Sequence, residues 1–479
     1  MVYYCPVGLT KKDGVFMLLC TMCSAVLLAV PYIYKSFGII AGLGITLLIS
    51  LLSLLGLLVQ SLVIRYVPLR YASFFSLAQI TNPKLGILFD FGIALRSFGS
   101  CLIHLVVIRD LLPILFSTGD NTLQTLDEVE VTNRTDVQLG IIIIFIIAPL
   151  CLLRGIYLAK YVKKIAFSIV AYFILILILM PLFHYNKIDD LRGKIYFGIP
   201  PNKDINVVGV LAILVFLLNS HHHMFAMINE QEEMGFHEVK MIAVTTVLIQ
   251  FSIISIIGLT GYLTFGDNVK ENILSQYPSF PEIIVVKVTY FILMILSFPF
   301  QCYPLRAALN RIKNWVRRRL EFKKEDDNSN NESRNSDASA STLVSDQTTP
   351  LLLTCEGHTI PIEELVEEGS HKQLDIRPTT QRNFTIYTIV ILICTYPISM
   401  TNISMMNILS FVGCTAAVLI SYILPGIFAY QLIGVEYESF STKTPFITTF
   451  FKYSGLGLAI IGVLISTVYL LFILPLQTY

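Results

Sequence analysis

The sequence predicts an all-α integral membrane protein with eleven transmembrane helices. Of its 479 residues, 54% are hydrophobic and 14% are charged, whereas an ordinary soluble domain carries about 25% charged residues. Eleven apolar runs each approach the roughly 20 residues that a helix needs to cross a hydrocarbon core about 30 Å thick. Run length and scarcity of charge therefore give the class of protein before any motif is considered.

The predicted spans follow one another with short polar connections, except for one long interruption. They are 15–36, 41–64, 86–116, 138–153, 165–184, 206–226, 241–263, 282–303, 385–401, 404–430 and 449–474. The chain thus divides into an N-terminal tail (1–14), spans one to eight (15–303), a loop (304–383) and spans nine to eleven (384–479). The first run has no small-residue cleavage site after it, so we interpret it as a retained helix and not as a signal peptide.

Lysine and arginine placement predicts the orientation. With the N-terminus in the cytoplasm, the cytoplasmic segments near the membrane carry 17 basic residues and the opposite side carries seven. Basic residues are enriched on the cytoplasmic side of membrane proteins, so the N-terminus is expected inside and Tyr479 in the lumen or outside the cell. Asn133 begins an Asn-Arg-Thr sequence in a loop on the lumenal side, where it is a candidate for N-glycosylation.

The segment 304–383 is predicted to be a disordered cytoplasmic loop. Residues 326–345 are rich in Asn, Ser and Asp and bury too little apolar surface to offset the entropy of ordering. Its basic start at 317–319 is interpreted as a cytoplasmic anchor, with anionic lipid binding as the alternative. The loop could hold a site for a cytosolic partner, while a net charge of +1 argues against nucleic acid as a partner.

The nine cysteines predict neither disulfides nor a metal site. Seven of them fall inside apolar runs: Cys20, Cys23, Cys101, Cys151, Cys302, Cys394 and Cys414. The single CxxC pair, Cys20 with Cys23, lies within the first span and has no second pair to complete a metal-ligand set.

Two spans carry polar residues at mid-membrane depth. The first contains 21–25 (Thr-Met-Cys-Ser-Ala), and the sixth contains 219–223 (Asn-Ser-His-His-His) within a Leu/Val/Phe run. Polar groups in hydrocarbon are costly unless they face protein or a cavity, and three successive histidines on a helix point about 100° apart. We therefore predict an unwound backbone in both spans, at corresponding positions of two inverted five-helix repeats with one extra helix.

Two alternatives for the histidines remain open. The sixth span could be misplaced, which would put the histidines at the membrane interface. A zinc site is the weaker alternative, because no other His-rich cluster is present to supply further ligands.

Among the charged residues inside predicted spans, Arg96 and Lys287 require a partner or a route to water. Arg96 is near the middle of the third span, where a basic residue costs about 2.5–3.5 kcal/mol on insertion scales. It should face the bundle interior and pair with a carboxylate or backbone carbonyls, in a functional or a purely structural role. Lys287, one turn inside the eighth span, is expected to extend to the interface.

Motifs in spans seven and eight are similar to those of a known family. They are 261–267 (Gly-Tyr-Leu-Thr-Phe-Gly-Asp), 297–299 (Ser-Phe-Pro) and 303–306 (Tyr-Pro-Leu-Arg). They resemble the loop after helix seven and the end of helix eight in the amino acid/auxin permease family. That family includes sodium-coupled neutral amino acid transporters and fungal vacuolar amino acid transporters.

Spans one, three and six carry further matches: 29–32 in the first, Gly99 and 110–113 in the third, and His221 with Glu230 at the sixth. The resemblance covers about 14–430 without the long loop. It implies a LeuT-like fold, secondary transport of amino acids (neutral ones above all), no enzyme activity and no cofactor. The membrane would be vacuolar, lysosomal or plasma membrane.

The chain departs from the family at the expected ion site. Family members usually have a Gly-x-Gly break in helix one, preceded by Asn. Here the glycine positions are Ser24 and Val26, and the Asn position is Cys20. The resemblance implies that in sodium-coupled members the Asn of helix one and a hydroxyl on helix eight, here Ser297, help to hold Na⁺. The thiol of Cys20, which stands at the Asn position, is a poor ligand for a hard cation.

The ion-coupling candidates are therefore Cys20, Ser297 and His221, with H⁺ favoured over Na⁺. A histidine is a suitable proton carrier because its ordinary pKa is near about 6.5. Uncoupled exchange is the alternative.

The sequence thus predicts an amino acid transporter that works by alternating access. Residues Ser24, Ala25, Val26, Ser220 and His221 are expected to bind the substrate near the midplane of the lipid bilayer, where free N–H groups at the broken helix ends would hold its carboxylate. The rival function is a transporter-like amino acid sensor. An enzyme is not expected, since no nucleophile–base pair, metal-ligand set or phosphate loop is present.

Overall fold

The computed structural model describes residues 11–22, 24–67, 74–116, 128–153, 156–184, 190–200, 207–229, 236–278, 280–332, 381–401, 403–435, 445–473 and 475. This part of the chain is helical and contains no strand. The α-helices are α1 Lys11–Leu19, α2 Val30–Val63, α3 Phe74–Thr81, α4 Pro83–Phe116, α5 Glu128–Ile142, α6 Ala148–Leu152, α7 Ile156–Phe183, α8 Val207–Leu217, α9 His221–Asn229, α10 Phe236–Phe265, α11 Ile273–Gln276, α12 Pro281–Glu332, α13 Gln381–Met400, α14 Met405–Val412, α15 Leu424–Leu432 and α16 Phe446–Val468.

Within the described residues, nine helical stretches are long and apolar enough to cross a membrane. They are Ala25–Tyr66, Gly86–Pro113, Thr135–Leu152, Lys164–Phe183, His237–Asn268, Pro281–Arg317, Gln381–Met400, Met405–Leu432 and Phe446–Phe472. Large apolar side chains such as Phe145, Phe183 and Leu471 are exposed on these helices, as lipid-facing surfaces require. The prediction of a multi-pass, all-helical membrane protein is confirmed.

The count differs from eleven for two structural reasons. The second half of predicted span one and the whole of span two follow each other without a loop in the stretch Ala25–Tyr66, as two helices that meet at a bend inside the predicted connection 37–40. Predicted span six is present only as the shorter apolar stretch Gly209–Phe225, which is itself interrupted. Eleven crossings therefore remain a prediction.

The joined stretch is bent at Gly38. This residue has φ 74° and ψ −176°, a conformation open essentially to glycine alone, while its neighbours in α2 are helical. The N–H groups of Ile39 and Ile40 donate to the carbonyls of Tyr196 and Phe197, at 3.1 and 2.9 Å. Carbonyls from residues outside the helix thus accept hydrogen bonds from the N–H groups that the bend leaves without a partner in the helix.

Two corrections concern α12. The predicted boundary at 303 lies inside this helix, which continues to Glu332, so the start of the segment 304–383 is helical and not disordered. An ion pair of 2.6 Å from Arg311 Nε to the buried Asp90 carboxylate holds this part of α12 against α4. Residues 333–380 lie outside the described part of the chain.

The second correction is Lys287, which does not extend to the interface. Its side chain is buried, and Nζ donates to the Tyr277 carbonyl at 3.0 Å. Tyr277 directly follows the short helix α11, and carbonyls at a helix C-terminus have no partner within the helix. The lysine therefore satisfies a helix end inside the protein.

The bend predicts different effects for two glycines in α2. Gly38→Ala should lower stability by about 1–3 kcal/mol, because alanine rarely adopts this conformation and its Cβ would meet the Gly198 carbonyl. Gly44→Ala is the matched control, since its Cβ would meet no atom within 4 Å and alanine favours the helix. Thermal unfolding of both variants in detergent measures the difference, and equal midpoints would contradict the proposed strain.

Candidate functional site

The first helix break lies between α1, which ends at Leu19, and a 3₁₀ segment that begins at Ala25. Ser24 is extended, with φ −142° and ψ 172°, and no side chain caps the 3₁₀ segment. Cys23 lies outside the described residues. The first N–H groups of a helix have no partner within it, so the N–H groups at this helix end are not satisfied by the 3₁₀ segment itself.

The second break separates α8, which ends at Leu217, from α9, which begins at His221. Asn219 and Ser220 are fully buried. Ser53 Oγ donates to the Leu218 carbonyl at 2.9 Å, and Asn219 Nδ2 donates to the Ala417 carbonyl at 3.1 Å. His221 is also fully buried, which does not fit the alternative of an interfacial histidine run.

The two breaks touch each other through side-chain hydroxyls. Thr21 Oγ1 lies 3.0 Å from Ser220 Oγ. Because Thr21 Oγ1 donates its proton to the Leu18 carbonyl at 2.8 Å, Ser220 Oγ is the donor to Thr21, with the Leu18 carbonyl further away at 3.4 Å. Gln250 of α10 donates from Nε2 to Ser220 Oγ at 3.0 Å. Residues about 200 positions apart in the sequence thus form one partly buried polar contact.

Helix α12 approaches the first break from another side. The Tyr290 hydroxyl donates to the Ser24 carbonyl at 3.3 Å, and Ala25 and Val26 are almost fully buried. Ser297 lies seven residues after Tyr290, close to two helical turns further along the same face, and it is buried. Cys20 is partly exposed and lies at the start of the break.

Arg96 of α4 lies against the second break. Its side chain is buried, and Nη2 donates to the Asn219 carbonyl at 3.3 Å. Nη1 lies 3.3 Å from His222 Nε2, and His222 Nδ1 lies 3.3 Å from Asn219 Oδ1. Since arginine only donates, this network assigns an acceptor at Nε2 and a donor at Nδ1, a neutral His222.

His221 faces the other way. Its carbonyl accepts from Gln60 Nε2 at 2.9 Å, and its ring lies beside Gly56, where an added Cβ would be 2.6 Å from Nε2 and 2.6 Å from the Ser421 carbonyl. The Ser53 carbonyl is close to the ring, but neither ring nitrogen has a hydrogen bond of good geometry within the described chain.

Of the predicted substrate residues, Ser24, Ala25 and Val26 lie at the first break and Ser220 at the second. The ring of His221 packs against α2. No sequence signal pointed to Gln250 or Tyr290, which contact the breaks from α10 and α12, and His222 of α9 was named only as part of the histidine run. Only the 100° spacing of the histidine run hinted that different histidines face different helices.

Other predicted residues lie away from the breaks. Asn133 falls in α5, and its side chain is not described. Glu230 is outside the described residues. The part of the chain that the structure describes contains no group of three or more His, Cys, Asp or Glu placed to hold a metal ion.

Long apolar helices and two polar breaks that contact each other are the features of a multi-pass membrane protein of the transporter type. A family model described as transmembrane amino acid transporter protein matches residues 8–468. The chain belongs to this family. The predicted resemblance is confirmed, and so is the prediction that the protein is a transporter and not an enzyme, with an amino acid as substrate.

Two fungal relatives cover nearly the whole chain, and a third relative covers about two thirds of it. Vacuolar amino acid transporter 6 of Saccharomyces cerevisiae is 34% identical over 95% of this chain and 96% of its own length. Vacuolar amino acid transporter 5 of the same organism is 31% identical over 94% and 95%. A putative sodium-coupled neutral amino acid transporter 8 of Xenopus tropicalis is 24% identical over 64% of this chain and 68% of its own.

The hydroxyl contact between the breaks predicts an energetic coupling. Ser220→Ala should cost about 1–3 kcal/mol, because it removes the acceptor of the buried Gln250 amide. Combined with Thr21→Val in a double-mutant cycle, it should show a coupling of about 0.5–1.5 kcal/mol. Reversible unfolding in mixed micelles measures both values.

Ser252→Ala is the matched control for Ser220→Ala. Ser252 lies on the same helix as Gln250, but it is exposed and donates only to the Leu248 carbonyl of its own helix. Its replacement should change stability by less than about 0.5 kcal/mol. Strictly additive effects of Thr21→Val and Ser220→Ala would contradict a direct contact.

Proposed function

We propose that this protein is a secondary active transporter that moves amino acids by alternating access. The observation that carries the proposal is the contact of the two helix breaks through Thr21 and Ser220 at 3.0 Å. Broken helices that meet in the interior are typical of transporter binding sites, because their free backbone groups can replace the hydration of a substrate. The substrate carboxylate would bind the N–H groups near Ala25 and Val26.

Arg96 would hold the second break in its binding conformation. The guanidinium bonds the Asn219 carbonyl and approaches His222, and it forms no ion pair with a carboxylate among the described residues. A charge at this depth is costly, so its place beside unwound backbone favours a role in the site over a role in general packing.

The proposed architecture is a LeuT-like 5+5 inverted repeat with an eleventh helix, in a vacuolar membrane. In this arrangement the breaks belong to helices one and six, the equivalent first helices of the two halves. The names of the fungal relatives support a vacuolar location. The sodium-coupled relative is named for neutral amino acids, which supports neutral substrates.

Substrate binding at the first break is tested with Ala25→Leu. Ala25 is fully buried, so leucine adds volume where the substrate would bind, and uptake of labelled amino acids into proteoliposomes should be lost. Gly44→Leu is the control, since Gly44 has open space around its Cβ position, and it should retain uptake.

A panel of neutral, acidic and basic amino acids in the same assay identifies the substrate class. Both variants must give monodisperse protein in detergent for the comparison to count. Unchanged amino acid affinity in Ala25→Leu would contradict the site. Wild-type protein that binds amino acids but accumulates none would support the sensor and contradict transport.

We further propose that H⁺ is the coupling ion and that His221 carries it. Besides both nitrogens of His221, Gln60 Oε1 and Ser421 Oγ are buried without a hydrogen-bond partner in the described structure. All three residues lie close to Gly56. An added Cβ there would be 2.6 Å from the His221 ring and 2.6 Å from the Ser421 carbonyl, and Gln60, which bonds the His221 carbonyl, lies one turn further along α2. Buried polar groups without a protein partner commonly bind an ordered water, and such a water would pass a proton to the ring.

The coupling ion is tested with imposed gradients in proteoliposomes. An inward H⁺ gradient should drive accumulation by the wild type and by the control His237→Gln, whose histidine is exposed. His221→Gln should lose this pH-driven accumulation while it retains exchange. Accumulation driven by Na⁺ at constant pH, or pH-driven accumulation that survives His221→Gln, would overturn the proposal.

The N-terminus is proposed to be cytoplasmic and Tyr479 lumenal, as the basic residues indicate. In sealed vesicles with the lumenal face outward, added protease should then spare the segment 333–380. The same protease should cleave it after detergent opens the vesicles. Cleavage between Asp326 and Ser345 in intact vesicles would show that the orientation is reversed.

A further inference from the structure

Three buried cysteines from three different helices lie together, away from the helix breaks. They are Cys101 of α4, Cys151 of α6 and Cys302 of α12, and each is 0% exposed. The sulfur of Cys302 lies 3.9 Å from that of Cys101 and 4.0 Å from that of Cys151. Cys302 is thus the shared member of two sulfur–sulfur contacts.

The distances suit disulfide formation after a small movement. A disulfide bond is about 2.05 Å long, so either pair must approach by about 2 Å. A change between staggered side-chain rotamers moves a cysteine sulfur by a comparable distance. Because both contacts use Cys302, only one of the two disulfides can exist at a time.

A buried positive charge adjoins the thiols. Arg306 lies four residues, or about one turn, after Cys302, and its Nη1 donates to the Cys151 carbonyl and to Thr388 Oγ1, both at 2.9 Å. It is 5% exposed and forms no ion pair with a carboxylate in the described residues. Burial disfavours the thiolate, which is the form that attacks in disulfide chemistry, and the guanidinium of Arg306 opposes that effect.

We propose that Cys101, Cys151 and Cys302 form a reversible thiol–disulfide site in which Cys302 pairs with either neighbour. Formation transfers two electrons and two protons from two thiols to an oxidant such as diamide, whose N=N bond becomes a hydrazine. The remaining thiol can then attack Cys302, form the other disulfide and release the first partner as a thiol. This exchange needs no further oxidant.

Each disulfide would join α12 to a different neighbour. The Cys101–Cys302 bond links α12 to α4, five residues from Arg96, whereas the Cys151–Cys302 bond links α12 to α6. Since α12 also carries Tyr290, which contacts the first break, oxidation would restrain helices that border the substrate site. The proposal itself concerns the thiols and does not depend on the transport function.

The test is a peptide map of the full-length protein. Reduced protein in detergent is treated with diamide, remaining thiols are blocked, and the digest is analysed with and without reductant. We expect both Cys101–Cys302 and Cys151–Cys302 peptides, which disappear on reduction. Cys302→Ser should abolish both, and Cys101→Ser should leave Cys151–Cys302 alone.

Matched serine variants separate this site from general oxidation. Cys394→Ser removes an exposed thiol and Cys414→Ser a buried one elsewhere, and neither should change the map. The proposal is overturned if the map of diamide-treated wild-type protein shows all three cysteines as blocked thiols and none in a disulfide. A Cys101–Cys151 disulfide in a Cys302→Ser variant that retains the wild-type melting temperature would also overturn it.

The role of Arg306 has its own readout, the rate of oxidation by diamide. Arg306→Gln should slow disulfide formation severalfold, and Arg306→Lys should restore it, because the charge and not the shape of the side chain favours the thiolate. Equal rates in the two variants would remove the electrostatic part of the proposal.

Discussion

The rest of the structure depends on one constraint, which is that an interrupted helix in hydrocarbon must bond its free backbone groups to protein. Each break meets this constraint through neighbours. Ser53 and Gln60 of α2 bond the carbonyls of Leu218 and His221, while Tyr290 of α12 bonds that of Ser24. The breaks therefore fix which helices surround them, and those helices cannot be exchanged for purely apolar ones.

The sequence predicts the breaks because the same constraint is visible there. Polar residues in an apolar run, such as Asn219 and Ser220, have few solutions other than an unwound backbone facing protein. The partners were not predictable, since Ser53, Gln60 and Gln250 are ordinary polar residues until the fold places them against an exposed carbonyl or hydroxyl. A hydropathy pattern gives the depth of a residue in the membrane but not the neighbour that it faces.

The errors have the same origin. Lys287 was expected at the interface because an unpaired cation usually reaches water, but a free carbonyl at Tyr277 offers it a partner inside the protein. The helix α12 was expected to end near 303 because apolar residues end there, yet backbone hydrogen bonds continue the helix to Glu332. The Gly38 bend falls in the predicted connection 37–40 between spans one and two, but its positive φ was not predicted, because a single glycine in an apolar run gives no signal of one.

The histidine run is the place where two groups of helices meet. His221 is bonded through its carbonyl to Gln60 of α2, and His222 adjoins Arg96 of α4. Because the two residues are adjacent on α9, this helix cannot follow a movement of α2 relative to α4 without breaking one of these contacts. In the proposed alternating access, the His222–Arg96 contact is the weaker of the two by geometry, since it is longer, at 3.3 Å against 2.9 Å. We therefore expect α9 to move with α2, so that α2 and α4 separate between His222 and Arg96.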